Sequence, residues 1–424
     1  MPDAFVNLII VIVAFPIVGV LAWNLWLTYI QTVFLRNIKW VLLEIKPPKD
    51  VFKSPLAMEL VLNSLYQMGG VGNWFDRYWK GNLRNYFSLE IVSTEGTIKF
   101  YIRTSDKFKK LIESQIYAQY PQAEVREVED YAVKIPDFEK GGPINLWGTN
   151  LVLTKDDPYP IKTYIDYGLD KAIGSLAEEE RIDPITPTLE FMGSIGAGEH
   201  VWFQIILRGA TDRFTITKKK DGKEVVEENK KWTDAAKDII TKFNDSLKEK
   251  EKDAEGKEKV VGNRRATKGE MAVIDSIERN LNKLGFDCGI RALYVTDKDK
   301  FDANRISSLT GMLRQYNTVD FNGFKPSGAT SFDFAWQDIM GKKIIKKKKD
   351  ILLEYKGRDF LYGGFDFKKI QTYFTNPARN GGKPFILTTE ELATIYHLPG
   401  RVAETPSFER IESKKGEAPV NLPI

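Results

Sequence analysis

The densest group of potentially functional side chains is a lysine run between Gly341 and Asp350. Its members are Lys342, Lys343, Lys346, Lys347, Lys348 and Lys349. Clustered lysines attract nucleic acid phosphates, and they attract anionic lipid when they lie close to a membrane. No aromatic residue interrupts the run, so it does not predict a stacking platform for single strands. Two interpretations follow: a solvated loop, or a contact for an anionic ligand.

Side chains that could bind metal or act as a nucleophile are scarce. The chain has two histidines, His200 and His397, and one cysteine, Cys288, which are too few nitrogen and sulfur ligands for a typical zinc site. We interpret His200 as a structural or surface residue, and His397 as a residue at a helix end, where a cation suits the dipole. Cys288 is predicted to pack in a buried strand. Residue counts leave a metal site made of carboxylates open.

The glycine-rich segments do not match nucleotide-binding motifs. Gly193–Gly198 lacks a preceding strand and the required glycine spacing, and Gly381–Pro384 has proline where a P-loop needs serine or threonine. The sequence therefore predicts no nucleotide site, no cofactor, no metal and no catalytic residue, and we expect a protein that is not an enzyme.

An apolar stripe at helical spacing lies in a segment that is otherwise densely charged. Trp232, Ile239 and Phe243 belong to this stripe, together with Ala236, Ile240 and Leu247. The simplest interpretation is a helix packed on its own domain. The alternative is a helix that docks on another subunit through Trp232, Ile239 and Phe243.

The amino-terminal segment is predicted to be a membrane anchor. Residues 4–35 contain no charged side chain, and about 20 apolar helical residues suffice to cross a bilayer. The stretch is too long for a cleaved signal peptide, and it lacks the charged face of a helix that lies flat on a membrane. Trp23, Trp26 and Tyr29 suit the aromatic belt at a membrane interface.

The flanking charges predict the orientation of this anchor. Basic residues follow the span at Arg36, Lys39, Lys46, Lys49 and Lys53, and none precedes it. Because positive residues stay on the cytoplasmic side, the bulk of the chain should be cytoplasmic. The single cysteine fits a reducing compartment. With 62 basic and 58 acidic residues, the global charge favours no particular partner.

The element pattern predicts an α+β fold made of two ferredoxin-like (split βαβ) units. Residues 40–135 read as β-α-β-β-α-β, with a hairpin turn at Glu95-Gly96. Residues 145–326 repeat this order around a charged helical insertion at 212–268. Within this second unit, 319–324 is predicted as its last strand.

The remaining residues form an extension and a tail. Residues 327–400 are predicted as a small α/β extension. In it, Ile351–Tyr355 and Phe385–Leu387 are candidate strands, and Thr388 with Glu391 forms a capping box in front of a helix. Residues 401–424 are predicted to be a polar tail that contains proline.

Several phrases along the chain carry a family resemblance. They are residues 41–48, 53–59, 114–124, 128–131, 160–164, 183–184, 198–205, 389–399, 405–406 and 419–423. Together they resemble the membrane-anchored amino-terminal region of bacterial conjugative-transfer (type IV secretion) ATPases. In that family, a linker similar to residues 419–423 leads into a RecA-type motor with Walker motifs, whereas this sequence stops at that linker. No ATP-binding residue can therefore be transferred to it, and we expect either a free-standing relative or a piece of a longer protein.

The resemblance implies a scaffold or adaptor rather than an enzyme. The expected function is to recruit a separate transfer ATPase or a substrate to the cytoplasmic membrane face, with a homo-oligomer implied because transfer machines are rings. Two alternatives remain: a membrane-tethered nucleic-acid adaptor that uses Lys342–Lys349, and an enzyme with a carboxylate metal site.

Overall fold

The computed structural model describes residues 2–47, 53–67, 73–170, 182–210, 216–220, 223–227, 231–252, 258–332, 334–361 and 384–400. The helices are α1 (Pro2–Asn37), α2 (Leu56–Ser64), α3 (Trp74–Tyr78), α4 (Lys109–Gln119), α5 (Thr186–Gly193), α6 (Trp232–Ser246), α7 (Lys268–Leu281), α8 (Asn304–Gly311), α9 (Lys342–Gly357) and α10 (Thr389–Ile395). The predicted tail, 401–424, lies outside the described residues.

The strands are β1 (Trp40–Lys46), β2 (Phe87–Thr94), β3 (Thr97–Ser105), β4 (Glu124–Val128), β5 (Ile144–Leu153), β6 (Glu199–Gly209), β7 (Ile216–Lys220), β8 (Lys223–Glu227), β9 (Lys248–Lys252), β10 (Glu258–Asn263), β11 (Gly285–Asp297), β12 (Phe324–Ser327) and β13 (Phe385–Thr388). Nine of them form one antiparallel sheet in the order β12-β5-β11-β6-β2-β3-β1-β4, with β13 also paired to β11. The prediction of an α+β fold is confirmed. The prediction that the insertion at 212–268 is helical is wrong in part: it contains α6, but strands β7–β10 also lie in it and form two separate two-stranded sheets.

Several local signals in the sequence produce the predicted structures. Glu95 and Gly96 both have positive φ, 52° and 86°, as a tight turn between antiparallel strands requires. The capping box of Thr388 and Glu391 starts α10. The predicted strand at Phe385–Leu387 is β13. These signals depend on neighbouring residues only, which explains why they can be recognised in the sequence.

Two predictions beyond residue 318 are wrong. Ile351–Tyr355 is not a strand but the second half of α9, because Ile344, Ile345, Ile351, Leu352 and Tyr355 recur at helical spacing. A short apolar run alone does not distinguish a strand from a buried helix. The last strand of the second unit is β12, which begins at Phe324 instead of ending there.

Helices cover the two faces of the sheet unequally. One face packs on α2, α4, α5, α8 and α10, and these elements form the larger hydrophobic core. The opposite face packs on α9 and on residues 131–138, through a smaller core that includes Trp202, Leu293 and Leu352. The sheet is therefore the middle layer of three, and α9 is the main cover of its second face.

Helix α1 is long and apolar enough to cross a membrane, and its carboxy-terminal part packs on the folded body. Trp26 Nε1 donates to the Tyr78 carbonyl at 3.0 Å, and Ile30 is buried. Gly81 permits this approach. Its φ is +68°, and a Cβ there would lie 2.5 Å from the Ile30 carbonyl carbon. Since β1 begins at Trp40, almost no linker separates α1 from the sheet.

We predict that Gly81→Ala destabilises the chain more than Gly141→Ala. Both glycines have positive φ, which should cost alanine about 1–2 kcal/mol at either position. Gly141 has open space around its ideal Cβ, whereas Gly81 faces the α1 backbone, so overpacking should add roughly 1–3 kcal/mol there. Denaturant unfolding of both variants in detergent micelles measures the difference. Equal losses of stability would show that α1 does not pack at Gly81.

Candidate functional site

A row of mostly polar residues crosses the sheet on the face that α9 covers. Each member lies directly opposite the next in the strand register: Arg126, Glu44, Tyr101, Glu90, Gln204, Arg291, Asn150 and Ser327. Glu90, Gln204, Arg291 and Asn150 form its centre and are at most 1% exposed. Polar groups this deep require partners, because burial without hydrogen bonds is costly.

Arg358 supplies the partner at the middle of the row. It follows α9 with a left-handed φ of 54°, which turns the chain back toward the sheet. Its Nε donates to Glu90 Oε1 at 2.9 Å, and its Nη2 donates to Glu90 Oε2 at 3.1 Å. The same guanidinium binds Asp130, with Nη2 at 3.0 Å from Oδ1. One arginine thus joins α9, the sheet and the segment after β4.

The Glu90 carboxylate accepts from three further donors, one on its own strand and two on other segments. Ser88 Oγ lies at 2.6 Å, Tyr131 OH at 2.7 Å and Gln204 Nε2 at 3.1 Å. Burial by itself raises the pKa of a carboxyl group, but Arg358 and these hydrogen bonds lower the pKa of Glu90 to about 2. Glu90 therefore stays ionised at neutral pH.

A second buried arginine, Arg291, makes similar contacts on β11, the strand next to β6. Arg291 Nε donates to Asn150 Oδ1 at 2.9 Å, and its Nη2 donates to Glu354 Oε2 of α9 at 2.9 Å. Arg358 and Glu354 together attach α9 to strands β2 and β11, on either side of β6. Because Glu90 and Arg358 are fully enclosed by protein, we interpret this polar row as a structural clamp.

The lysine run is helical, so the interpretation as a solvated loop is wrong. It forms the first half of α9, where Lys342, Lys343, Lys346 and Lys349 are exposed. Lys347 Nζ donates to the Ala329 carbonyl at 3.0 Å. Lys348 Nζ donates to Asn145 Oδ1 at 2.7 Å, and burial lowers its pKa. Lys343, although exposed, also donates from Nζ to the Gln337 carbonyl at 2.8 Å, so the exposed lysines that contribute most readily to binding an anionic ligand are Lys342, Lys346 and Lys349.

The predicted docking helix, α6, packs mainly on α7 of its own chain. Trp232 is only 9% exposed and packs with Ala210 and Ile386. A Cβ on Gly285 would lie 2.8 Å from Trp232 Nε1, which shows how closely the indole covers β11. Trp232 is thus committed to its own chain.

Ile239 and Phe243 have a different environment. Both are half-buried and line a cavity of about 510 Å³ between α6 and α7. Lys242 and Glu270 contribute charged groups to its lining. This cavity is the part of the predicted docking surface that a partner could reach.

His397 and Cys288 lie where the sequence predicted them. His397 follows α10, and its Nδ1 lies 2.8 Å from the Ala393 carbonyl oxygen. Its Nε2 lies 3.0 Å from Asp183 Oδ1. Burial alone raises the pKa of Asp183, but His397 and backbone hydrogen bonds together outweigh this effect, and the pKa is lowered. Cys288 is buried in β11.

His200 lies in β6 and is half-buried, and this burial lowers its pKa although Glu95 and Asp297 act in the opposite direction. His200 and His397 are therefore not brought together with Cys288 into one site. Within the described ranges, no group of three or more His, Cys, Asp or Glu residues is arranged to hold a metal ion.

The sequence did not reveal a second buried charge network around α10. Lys283 Nζ lies 2.7 Å from Glu59 Oε1, and Arg279 Nε donates to Glu390 Oε1 at 3.0 Å. Tyr164 OH donates to Glu59 Oε2 at 2.8 Å. These contacts connect α2, α7 and α10 on the sheet face opposite α9. Glu59, an acidic residue among the apolar residues of α2, was the feature of the sequence from which this network could have been predicted.

The fold and its buried clamp define an α+β protein with an apolar amino-terminal helix built onto a continuous antiparallel sheet. The chain belongs to a family described as a domain of unknown function, DUF8128, whose family model matches residues 30–410. No curated protein matches the chain.

We predict that Arg358→Met destabilises the chain by about 3–5 kcal/mol, because it leaves the Glu90 charge buried without its ionic partner. Glu90→Gln combined with Arg358→Met should recover part of this loss. Lys39→Met, which removes a pair exposed at 72% and 46%, is the control and should cost less than about 1 kcal/mol. Denaturant unfolding at neutral pH measures all three variants.

The ion pair between Glu90 and Arg358 also predicts how the stability of the chain depends on pH. The Glu90 pKa is lowered from 4.5 to about 2, so its contribution is complete above pH 4.5 and is lost as the pH falls toward 2. Glu90→Gln should therefore flatten the stability profile of the chain over that interval. An unchanged profile would contradict the role given to the clamp.

Proposed function

We propose that this protein is a membrane-anchored, non-catalytic scaffold or adaptor of an apparatus similar to conjugation or type IV secretion systems. It recruits a separate ATPase or a transferred substrate to the cytoplasmic face of the membrane. The proposal combines the apolar helix α1 with the resemblance to the membrane-anchored region of conjugative-transfer ATPases. Anchoring raises the effective concentration of a partner at the membrane, and this requires no catalytic site in the scaffold.

The observation that carries the proposal is the rigid connection between α1 and the body. Ile30 and Thr32 of α1 are buried, and Trp40 Nε1 at the start of β1 donates to the Leu35 carbonyl at 3.3 Å. A flexible tether would leave the body free to rotate. A helix built into the fold instead holds the body at a fixed height and orientation, as a docking platform requires.

The strand order supports the interpretation as two ferredoxin-like units. The first four strands are ordered β4-β1-β3-β2, and the next set is ordered β12-β5-β11-β6. Numbered within each unit, both orders are 4-1-3-2 and wholly antiparallel, which is the arrangement expected of a split βαβ unit. Strands β2 and β6 join edge to edge, so in this interpretation the two units share one sheet.

We propose that the partner ATPase or substrate docks at the cavity between α6 and α7. Its half-buried apolar residues, Ile239 and Phe243, are surrounded by the charged residues Asp156, Lys242, Glu270 and Asp320. An apolar centre with a polar rim is typical of protein interfaces.

The test is affinity purification of the full-length chain from native membranes, followed by mass spectrometry. We expect an ATPase with Walker motifs or another secretion component to co-purify. Ile239→Asp with Phe243→Asp should reduce its recovery roughly tenfold, because charge in an interface core is strongly unfavourable. Thr241→Asp with Asn244→Asp, on the exposed side of α6, should leave recovery unchanged.

Thermal unfolding of both variants distinguishes lost docking from lost folding. Recovery of no ATPase, substrate or secretion component with the wild-type chain would overturn the proposal. So would specific ATP turnover by the purified chain.

A nucleic-acid adaptor is the second candidate, and the exposed lysines of α9 favour it. Lys348 contacts Asn145 at the end of the sheet opposite to the one where α1 enters. Strand β2 runs between these ends over eight residues, Phe87–Thr94, or about 26 Å at 3.3 Å per residue. Membrane surface potential decays within about 8 Å, so this position suits nucleic acid better than lipid.

Salt dependence tests the second candidate. Replacing Lys342, Lys343, Lys346 and Lys349 by Gln should weaken DNA binding and reduce the slope of log K against log salt by about 3–4. The matched control replaces four other exposed lysines by Gln: Lys110, Lys134, Lys140 and Lys237. No binding at low salt, or equal slopes for the two variants, would eliminate this function.

A further inference from the structure

A second set of exposed aromatic residues lies beside α1. In α3 and the residue after it, Trp74 is 65% exposed, Phe75 is 47% exposed and Trp79 is 47% exposed. Asn73 caps the helix by accepting from the Asp76 amide at 3.0 Å, so the aromatic residues are held on an ordered turn. Large aromatic side chains clustered on a surface mark a contact with a partner or a membrane.

These aromatic residues are continuous with those of α1. Trp23 and Tyr78 have ring centroids 5.8 Å apart, and Trp26 and Trp79 have centroids 5.6 Å apart. Tyr29 on α1 is itself 54% exposed. The two segments therefore form one surface, which we call the aromatic girdle: Trp23, Trp26, Tyr29, Trp74, Phe75, Tyr78 and Trp79.

The packing of α1 determines where a membrane can lie. From Trp23 onward α1 contacts the body, and Phe34 and Leu35 line a cavity of about 290 Å³ together with Trp40, Leu83 and Tyr86. A charged, folded body cannot enter hydrocarbon, so this part of α1 must lie outside the bilayer core. The apolar stretch that remains is Ala4–Ala22, 19 residues long.

The length of that stretch matches a bilayer. At 1.5 Å per residue it spans about 28 Å, close to the roughly 30 Å of a hydrocarbon core. The predicted span of 4–35 would instead place the contact between Ile30 and Gly81 inside the membrane. The shorter span places its boundary at Trp23, where the aromatic girdle begins.

We propose that the lipid–water interface crosses the protein at the aromatic girdle, and that the exposed side chains of residues 74–79 insert among the lipid headgroups. This second, non-spanning contact fixes the tilt of the body on the membrane. The inference rests on the proposed function in one respect, that α1 spans the bilayer. It adds the depth of the span and a membrane role for α3.

The chemistry of the girdle suits lipid headgroups. Tryptophan and tyrosine prefer the interface because each combines an apolar ring with a polar group. Arg77 and Lys80 lie beside this surface, 5.4 Å and 5.7 Å from the ring centroids of Tyr78 and Phe75. Arg77 can contact lipid phosphates at this level, whereas Lys80 Nζ pairs with Asp76 Oδ1 at 2.8 Å. Continuity with a membrane helix is the reason to assign this surface to lipid instead of to a second protein.

The test uses single cysteines in the full-length chain, in a Cys288→Ala background, labelled with an environment-sensitive nitrobenzoxadiazole probe. Labelled sites are Trp74→Cys and Trp79→Cys in the girdle, Phe15→Cys in the span, and Trp336→Cys as a control that is 71% exposed elsewhere. The proteins are reconstituted in phosphatidylcholine vesicles that contain phosphatidylglycerol. Quenching is compared between lipids with a doxyl group near the headgroup and lipids with one at mid-chain.

We expect the probes at 74 and 79 to be quenched roughly twofold more by the shallow doxyl group than by the deep one. The probe at 15 should show the opposite preference, and the probe at 336 should respond to neither. Using two girdle sites keeps the test valid if one variant fails to fold.

Each other outcome overturns the inference in a distinguishable way. If position 15 is deeply quenched while 74 and 79 behave like 336, the anchor stands and the girdle contact is wrong. If position 15 is quenched by neither lipid, the anchoring part of the proposed function fails as well. If 74 and 79 are shielded from aqueous iodide without lipid quenching, the surface binds protein.

Discussion

The buried ion pair between Glu90 and Arg358 is the constraint on which the second face of the sheet depends. Glu90 lies on β2, at the join with β6, and Arg358 arrives from the turn that ends α9. A carboxylate can be held in the interior only while its arginine and its other donors are in place. The position of α9 is consequently coupled to the strand pairing that makes the sheet continuous.

This coupling connects distant parts of the chain. Arg358 is separated from Glu90 by 268 residues, and Glu354 on the same helix holds Arg291 of β11. On the opposite face, Glu59 and Glu390 connect α2 to α10 through Lys283. Ion pairs on both faces therefore join the early and late parts of the sequence, and such pairs also specify a unique arrangement when each charge requires its own partner.

The proposed anchor and the exposed lysines lie at opposite ends of the sheet. Helix α1 enters at the end of the sheet where β1 begins, and Lys348 of α9 contacts the other end. In the proposed scaffold, the membrane contact and the exposed lysines are thus separated by the length of the strands. Because α1 packs directly on the body, this separation is a property of the fold and does not depend on a linker.

The sequence by itself determined what depends on neighbouring residues. The apolar stretch before Arg36, the turn at Glu95-Gly96, the capping box at Thr388 and strand β13 each have a local signal. The order of strands and helices also restricts how an antiparallel sheet can be connected.

Only the tertiary structure decided which polar residues are buried. Ser88 and Glu90 alternate with apolar residues in β2, a pattern that is typical of a strand with one face in water. Helix α9, far away in sequence, covers that face and turns Glu90 into the centre of a clamp. The lysine run likewise depended on its surroundings, since the burial of Lys348 requires the sheet beneath it. Burial is a property of contacts between segments that are distant in sequence, which is why local patterns could not supply it.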